Sequence, residues 1–531
     1  MNASEERVLE NSDGTRDAPT AIFDIFRMLG PGLIIAASIV GSGELIATTK
    51  AGAGAGMSLL WLIILGCVIK VFAQIEIGRY TMISGLPTLS AFDSVPGPRI
   101  QGRGNWLVWY WFIMWMASIG QLGGIVGSVG QATAIMIPVT EQGKLYNAMA
   151  EKKTLLQVEQ VLATKPEAAP NAAELIAQLK VESEQLQAEY ESKFPASLPR
   201  DDMIWTIPWA IGTSFLLWYG RYRLIQAVST ILVAVFTLIT VGNVFAIQNH
   251  PSWSLTATQW INGLIPSMPE GNDAKVALTV AMATLGIIGV GASELVQYPY
   301  WLLEKGYARW TGRYEAGQPW LKRARGWLKV MQFDAWTSLV IYTVATIAFY
   351  VLGAAILHPS KLVPGDSDLI RTLQTMYQPV FSSYAPILFM FGAFAVLYST
   401  YFVANASHAR TFADALVVMG FLKRDPVIIS RLVRYLSFLF PLLCCAIYMI
   451  FPKPVFLVLL SAMTQAIMLP MLGAAALYFR YWKCIPELRP SKLWDFFLVG
   501  SFLVLLAIGT YNLVTKGQDL LMFFGVLSSN S

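Results

Sequence analysis

The chain has 531 residues, 55% of them hydrophobic and 13% charged, with a net charge of +5 and a mean hydropathy of +0.53. A soluble protein of this length needs far more polar surface, so the composition excludes one. The basic residues sit in short loops between apolar runs and give no reason to expect nucleic acid as a partner. Cys67, Cys444, Cys445 and Cys484 lie in or beside apolar runs without paired spacing, so neither disulfides nor a zinc site is expected.

The chain opens with "MNASEERVLENSDGTRDAPT", which is polar, carries both charge signs and lacks the apolar core of a cleaved signal peptide. Residues 1–25 are therefore expected to be a disordered cytoplasmic tail. Apolar runs of about 20 residues, enough to cross a hydrocarbon core of roughly 30 Å, then recur to the end of the chain. Eleven are expected, near 28–49, 56–80, 106–137, 204–220, 223–247, 276–302, 332–356, 382–412, 430–451, 455–480 and 494–514. The stretch "DLLMFFGVL" (519–527) is too short to span and is expected at the interface, within a tail of residues 516–531.

Three spans thus fall within 26–139 and eight within 203–515, separated by a polar insert at 140–202. The insert's "KLYNAMAEKKTLLQVEQVLA" and "NAAELIAQLKVESEQLQAEYESKF" have helical periodicity on either side of the breaker "TKPEAAPN". They predict a net-acidic helical hairpin over the outer face. Alternate loops are rich in Lys and Arg, including 303–331 with Lys305, Arg309, Arg313, Lys322, Arg323, Arg325 and Lys329. By the positive-inside rule that side is cytoplasmic, so the N-terminus lies inside, and the C-terminus and the insert lie outside. The expected location is the plasma or inner membrane, with the lipid bilayer as surroundings.

Two spans carry the same irregularity. Gly41, Ser42, Gly43 and Glu44 lie mid-way along the first, and Gly291, Ala292, Ser293 and Glu294 mid-way along the sixth. Glycines weaken a helix, and unwound backbone at membrane depth is tolerated only beside protein or an aqueous cavity. Breaks at matching positions of two halves point to a transporter with inverted repeats and a site near the midplane. Spans one to five and six to ten are then the repeats, with the eleventh appended. Each glutamate would sit on the first turn of a new half-helix, where the helix dipole favours it and Ser42 or Ser293 could cap. Two convergent carboxylates with exposed carbonyls make a hard-oxygen cation site, so Glu44 and Glu294 are the expected metal ligands.

Lys70, near the middle of the second span, is a candidate charge or coupling partner; the competing role is a snorkelling or carboxylate-paired side chain. Glu76, Arg79, Asp334 and Asp414 are expected at span boundaries. His250, His358 and His408 are expected in or near loops and span ends, with no metal-ligand spacing among them. No phosphate-binding loop or nucleophile–base pair is present, so neither an enzyme nor an ATP-driven pump is expected, and no cofactor.

These residues belong to a longer pattern. "FRMLGPGLIIAASIVGSGELIATTKAGAGAGMSLLW", "FAQIEIGRYTMISG", "YSTYFVANASHARTFADALVVMGFLKR" and "LLSAMTQAIMLP" resemble spans one, two, eight and ten of the Nramp family (natural resistance-associated macrophage protein) of proton-coupled divalent metal transporters. The resemblance implies an all-α polytopic membrane protein: a LeuT-type 5+5 inverted-repeat bundle of about eleven transmembrane helices, discontinuous in helices 1 and 6. The motifs depart from the family's. Gly41, Ser42, Gly43 and Glu44 occupy its Asp-Pro-Gly-Asn, and Ser293, Glu294 and Leu295 its Met-Pro-His. Gln121 and Gly124 fall on its acidic span-three positions; Ala462 falls on its span-ten Gln, with Gln465 close by, and Gln121 and Gln465 join Lys70 as candidate coupling or charge partners. Loss of the Met removes the soft ligand that favours transition metals.

The expected activity is secondary transport, by alternating access, of a cation, a divalent metal ion of the Mg or Mn class. The alternative is an amino acid or other small organic substrate on the same fold, since "GSGE" also resembles the Gly-Ser-Gly of amino-acid permeases, whose free N–H groups bind a carboxylate. A channel or non-transporting receptor ranks third.

Overall fold

A computed structural model describes residues 14–100, 103–164, 172–220, 222–269, 274–381 and 385–523. Among them, eight helical runs are long and apolar enough to cross a membrane. The first, Pro31–Ser84, contains spans one and two. The fourth span is the helix Asp201–Tyr219, and the sixth is divided between Ala274–Thr284 and Ala292–Lys305. The eleven expected spans are thereby accounted for, and both interruptions are present.

Several boundaries differ from expectation. The seventh-span helix runs Gln318–Leu352, starting well inside the stretch expected to be a basic loop. Charge prevents membrane burial but does not prevent helix formation, and Trp320, Ala324, Trp327 and Met331 bury one face of these early turns. The last helix, Lys492–Phe523, continues through most of the segment expected as a separate interfacial piece; 524–527 lie outside the described residues. Part of the N-terminal tail is also ordered. Arg16 donates its N–H to Trp310 O at 3.0 Å, accepts Trp327 Nε1 on its own carbonyl at 2.7 Å, and stacks its guanidinium over the Trp310 ring.

The insert forms the expected hairpin, with helices Glu141–Leu162 and Ala172–Lys193. Thr140 caps the first, and a Lys152–Glu182 ion pair of 2.7 Å crosses between the two. Tyr146 donates to Asp368 (3.0 Å) and Arg371 to Asn147 (2.7 Å), fastening the hairpin to the segment that joins spans seven and eight. A cavity of about 870 Å³ lies beneath this junction, lined in part by Gln131, Arg200, Asp202, Asp366 and Lys453.

Four groups expected at span boundaries are buried there and partnered. Asp334 accepts the N–H groups of Gly30 (3.0 Å) and Gly32 (2.5 Å) at the start of span one, and the hydroxyl of Tyr298 (3.0 Å). These bonds satisfy donors that a helix start leaves open. Asp414 accepts Ser90 Oγ (2.8 Å) and Tyr300 OH (2.8 Å). Glu76 and Arg79 form a buried ion pair of 3.2 Å. His408, expected near a loop, is also buried, with Nε2 3.5 Å from Gln297 Nε2.

Candidate functional site

The first span follows an α-helix from Pro31 to Ile39 and then breaks at Val40–Gly41. Gly41 turns its N–H to Ile39 O (2.6 Å), releasing the Ala37 carbonyl, which accepts the hydroxyls of Thr400 (3.3 Å) and Ser399 (3.5 Å) from span eight. A Cβ at Gly41 would lie 1.8 Å from Thr400 Oγ1, so any side chain there forces span eight away. Ser42–Thr48 then coil as a π-helical stretch, a local widening common at functional positions. Thr48 Oγ1 donates to Gly43 O (3.0 Å) and Thr49 Oγ1 to Glu44 O (3.4 Å) across it.

The sixth span is opened for longer. Its first helix ends at Thr284 and the second starts at Ala292, with 285–291 unwound between. Gly289 takes a left-handed conformation (φ +55°), which favours glycine, and a Cβ there would be tight, 3.1 Å from both Cys67 Cα and the Tyr342 ring. The two breaks touch: a Cβ on Gly43 would sit 3.1 Å from Ile287 O.

Each glutamate is tied to the other's span. Glu44, fully buried, accepts through Oε1 the N–H of Gly289 in span six (3.2 Å) and the hydroxyl of Thr346 in span seven (3.0 Å). Its Oε2 is buried and has no hydrogen-bond partner among the described residues. Glu294 accepts Ser38 Oγ from span one at 3.3 Å. Both occupy the first turn of the helix after their break.

The serines do not cap, contrary to expectation. Ser42 Oγ accepts Gln121 Nε2 (2.8 Å), and Ser293 Oγ pairs with Ser118 Oγ (3.0 Å). The span-six N-terminus is served from another span, since Gln465 Oε1 accepts the N–H of Ser293 (3.0 Å). Gln465 Nε2 in turn donates to Gln121 Oε1 (3.1 Å), which also accepts Ser461 Oγ (2.8 Å). Ser42, Gln121, Ser293 and Gln465 are thereby one network joining spans one, three, six and ten. Gly291 lies in its floor, where a Cβ would meet Glu294 Oε2 at 2.6 Å and Gln465 Oε1 at 3.0 Å. Ala292 closes the unwound loop by donating its N–H to Gly286 O (3.3 Å).

Lys70 does not snorkel, and among the described residues it pairs directly with no carboxylate. Fully buried, it donates to two span-six carbonyls, Leu285 O at 2.8 Å and Ile288 O. Ser38, Ser118, Thr346 and Ser461 join the site without having been singled out in the sequence. Their signal was present, as isolated hydroxyls inside apolar spans, but many such hydroxyls bond only their own helix, as Ser128 and Ser214 do. Among the described residues no group of three or more His, Cys, Asp or Glu side chains could hold a metal ion. An ion here would draw on two carboxylates together with amide and carbonyl oxygens.

A bundle interrupted in its first and sixth spans, with polar groups converging on both breaks, defines the LeuT-type class of membrane transporter. A family model described as natural resistance-associated macrophage protein-like (Nramp) matches residues 197–515, and the chain belongs to that family. No curated protein matches it in sequence. In structure it is similar to the manganese transporter of Eremococcus coleocola in complex with an aromatic bis-isothiourea compound, with a TM-score of 0.60 and 16% identity over 98% of this chain and 93% of that one. A histidine-to-alanine mutant of the same transporter gives a TM-score of 0.60 at 13% identity, over 97% and 92% of the two chains. MhsT in complex with L-phenylalanine gives 0.52 at 14% identity, over 94% and 99%. At these identities the likeness establishes the fold, a LeuT-type inverted-repeat bundle.

Proposed function

We propose that this Nramp-family protein is a secondary transporter that moves a divalent cation of the hard, oxygen-preferring class, Mg²⁺ or Mn²⁺, by alternating access. Glu44 and Glu294 are its ligating carboxylates, with the amide oxygens of Gln121 and Gln465 as the neutral oxygens beside them. The observation that carries this reading is the state of Glu44. A fully buried carboxylate at a helix break keeps one oxygen without a donor among the described residues, and that is costly unless something else occupies it. The absence of Met, Cys and His from these positions favours a hard ion over a soft one. The manganese transporter with the same fold lends the reading support by analogy.

Glu44→Gln and Glu294→Gln test it. Each keeps the shape and removes one charge, so stability should change by about 1 kcal/mol or less while divalent-ion binding weakens by at least tenfold. Calorimetry with Mg²⁺ and Mn²⁺, and uptake into proteoliposomes, read the two effects. Unchanged affinity and uptake in both folded variants would leave the glutamates as dipole partners only. Uptake of an amino acid or amine in place of metal would replace the substrate assignment.

The basic loops support an orientation with the N-terminus in the cytoplasm and the insert and C-terminus outside. A cysteine placed in the insert should then be labelled in intact cells by an impermeant maleimide. Labelling only after permeabilisation reverses the orientation.

A further inference from the structure

The unwound stretch of span six holds a positive charge that the transport reading does not use. Lys70 enters from span two and is fully buried, yet it forms no ion pair at contact distance among the described residues. Its ammonium instead donates to Leu285 O (2.8 Å) and Ile288 O. Both carbonyls lie just past Thr284, the last residue of the first half-helix, where the helix dipole is negative. Carbonyls released by an unwound membrane helix, next to the C-terminal end of a half-helix, form the type of site that coordinates small monovalent cations in transporters.

The Ile288–Gly289 peptide makes the charge matter for the glutamates. Its carbonyl accepts Lys70, while its N–H donates to Glu44 Oε1 at 3.2 Å. A cation on the carbonyl polarises the peptide and strengthens the N–H as a donor to a carboxylate. The left-handed Gly289 sets the peptide in this orientation. Two carbonyls alone do not call for a cation. A buried Gln or Ser could donate to them without the large desolvation cost of an ammonium. The charge is therefore placed where a neutral donor would serve hydrogen bonding alone.

We propose that the Lys70 ammonium is a tethered monovalent cation, filling from within the chain a carbonyl-lined cation seat at Leu285 and Ile288 that the opening of span six creates. The seat orders span six without Na⁺ or K⁺, and its latent ligand class is a primary ammonium or an alkali ion. The seat is read from the unwound backbone alone; its consequence, a carrier whose site assembles without a co-bound alkali ion, rests on the cation-site reading above.

The test is thermal stability, which does not depend on transport. The melting temperature of the wild type should be the same in sodium, potassium and choline chloride at equal ionic strength. Lys70→Ala removes the side chain beyond Cβ, a fragment equivalent to n-propylammonium. Its melting temperature should fall, then rise with added n-propylammonium, to a smaller extent with Na⁺ or K⁺, and not with choline. Equal rescue by neutral 1-propanol would show that a filler or uncharged donor suffices and would overturn the proposal, as would a folded variant that no cation stabilises. If Lys70→Ala does not fold, the wild type decides: stabilisation by Na⁺ or K⁺ over choline overturns the tethered-cation assignment, and indifference supports it. Failure of the Glu44 and Glu294 tests would leave these readings unaffected, so the two proposals fail separately.

Discussion

The two interruptions look alike in sequence and are solved differently. In span one the break is confined to Val40–Gly41, and the released Ala37 carbonyl is met by the Ser399 and Thr400 hydroxyls. In span six, residues 285–291 are unwound, and groups from four other spans serve the backbone at or beside the gap: Glu44, Lys70, Gln465 and, through Glu44, Thr346. The difference follows from the number of backbone groups released. Within a bilayer each must find a protein partner, so a short break can live on neutral hydroxyls while a long one recruits charges and amides. Span six is accordingly the element whose geometry depends on its neighbours, and span one the element that largely keeps its own.

The largest test of that contrast is steric. A Cβ at Gly286 would lie 2.0 Å from Ala462 O and 2.6 Å from Ala466 N, both backbone atoms of span ten. Gly286→Ala should cost about 3 kcal/mol, with no single side-chain removal restoring it. Gly41→Ala meets a side chain instead, Thr400, and should cost about 2 kcal/mol. Pairing it with Thr400→Gly should recover part of that loss, less the roughly 1 kcal/mol of a glycine in a helix. Melting temperatures of the purified proteins rank these variants. If Gly286→Ala is tolerated as well as the rescued Gly41 pair, the long break is not locked by backbone contact. A smaller effect separates the polar partners. Gln465→Ala strips the acceptor from Ser293 N and should cost about 1–2 kcal/mol. Ser42→Ala removes one neutral acceptor from Gln121 and should cost about 1 kcal/mol or less. Equal losses would mean that the two breaks draw equally on their neighbours.

Much of this was legible in the chain. Glycines followed by a glutamate, in the first and sixth of eleven apolar runs, mark both breaks, and Gln121, Gln465 and Lys70 stood out as polar residues in apolar surroundings. What those side chains bond was not legible. Asp334 lies 304 residues from Gly30, and only folding shows that it caps the start of span one. Ser42 and Ser293 illustrate the same limit. Local rules assign them as caps, yet in a crowded bundle Gln121 and Ser118 reach them from span three. Hydropathy likewise measures what can enter a membrane, so it could not anticipate that the seventh-span helix begins at Gln318 among basic residues.

Asp334 also bears on timing. One carboxylate holds the N-terminal end of span one, through Gly30 and Gly32, to span seven, and it holds Tyr298 of span six as well. A carrier that exposes its site by moving that end of span one away from span seven must first release two charge-assisted bonds. Each is worth about 1.5–3 kcal/mol. Under the alternating-access reading proposed above, Asp334 would act as a latch on the rate of opening rather than on affinity for cargo: weakening it would speed the turn of the carrier while leaving Glu44 and Glu294 untouched.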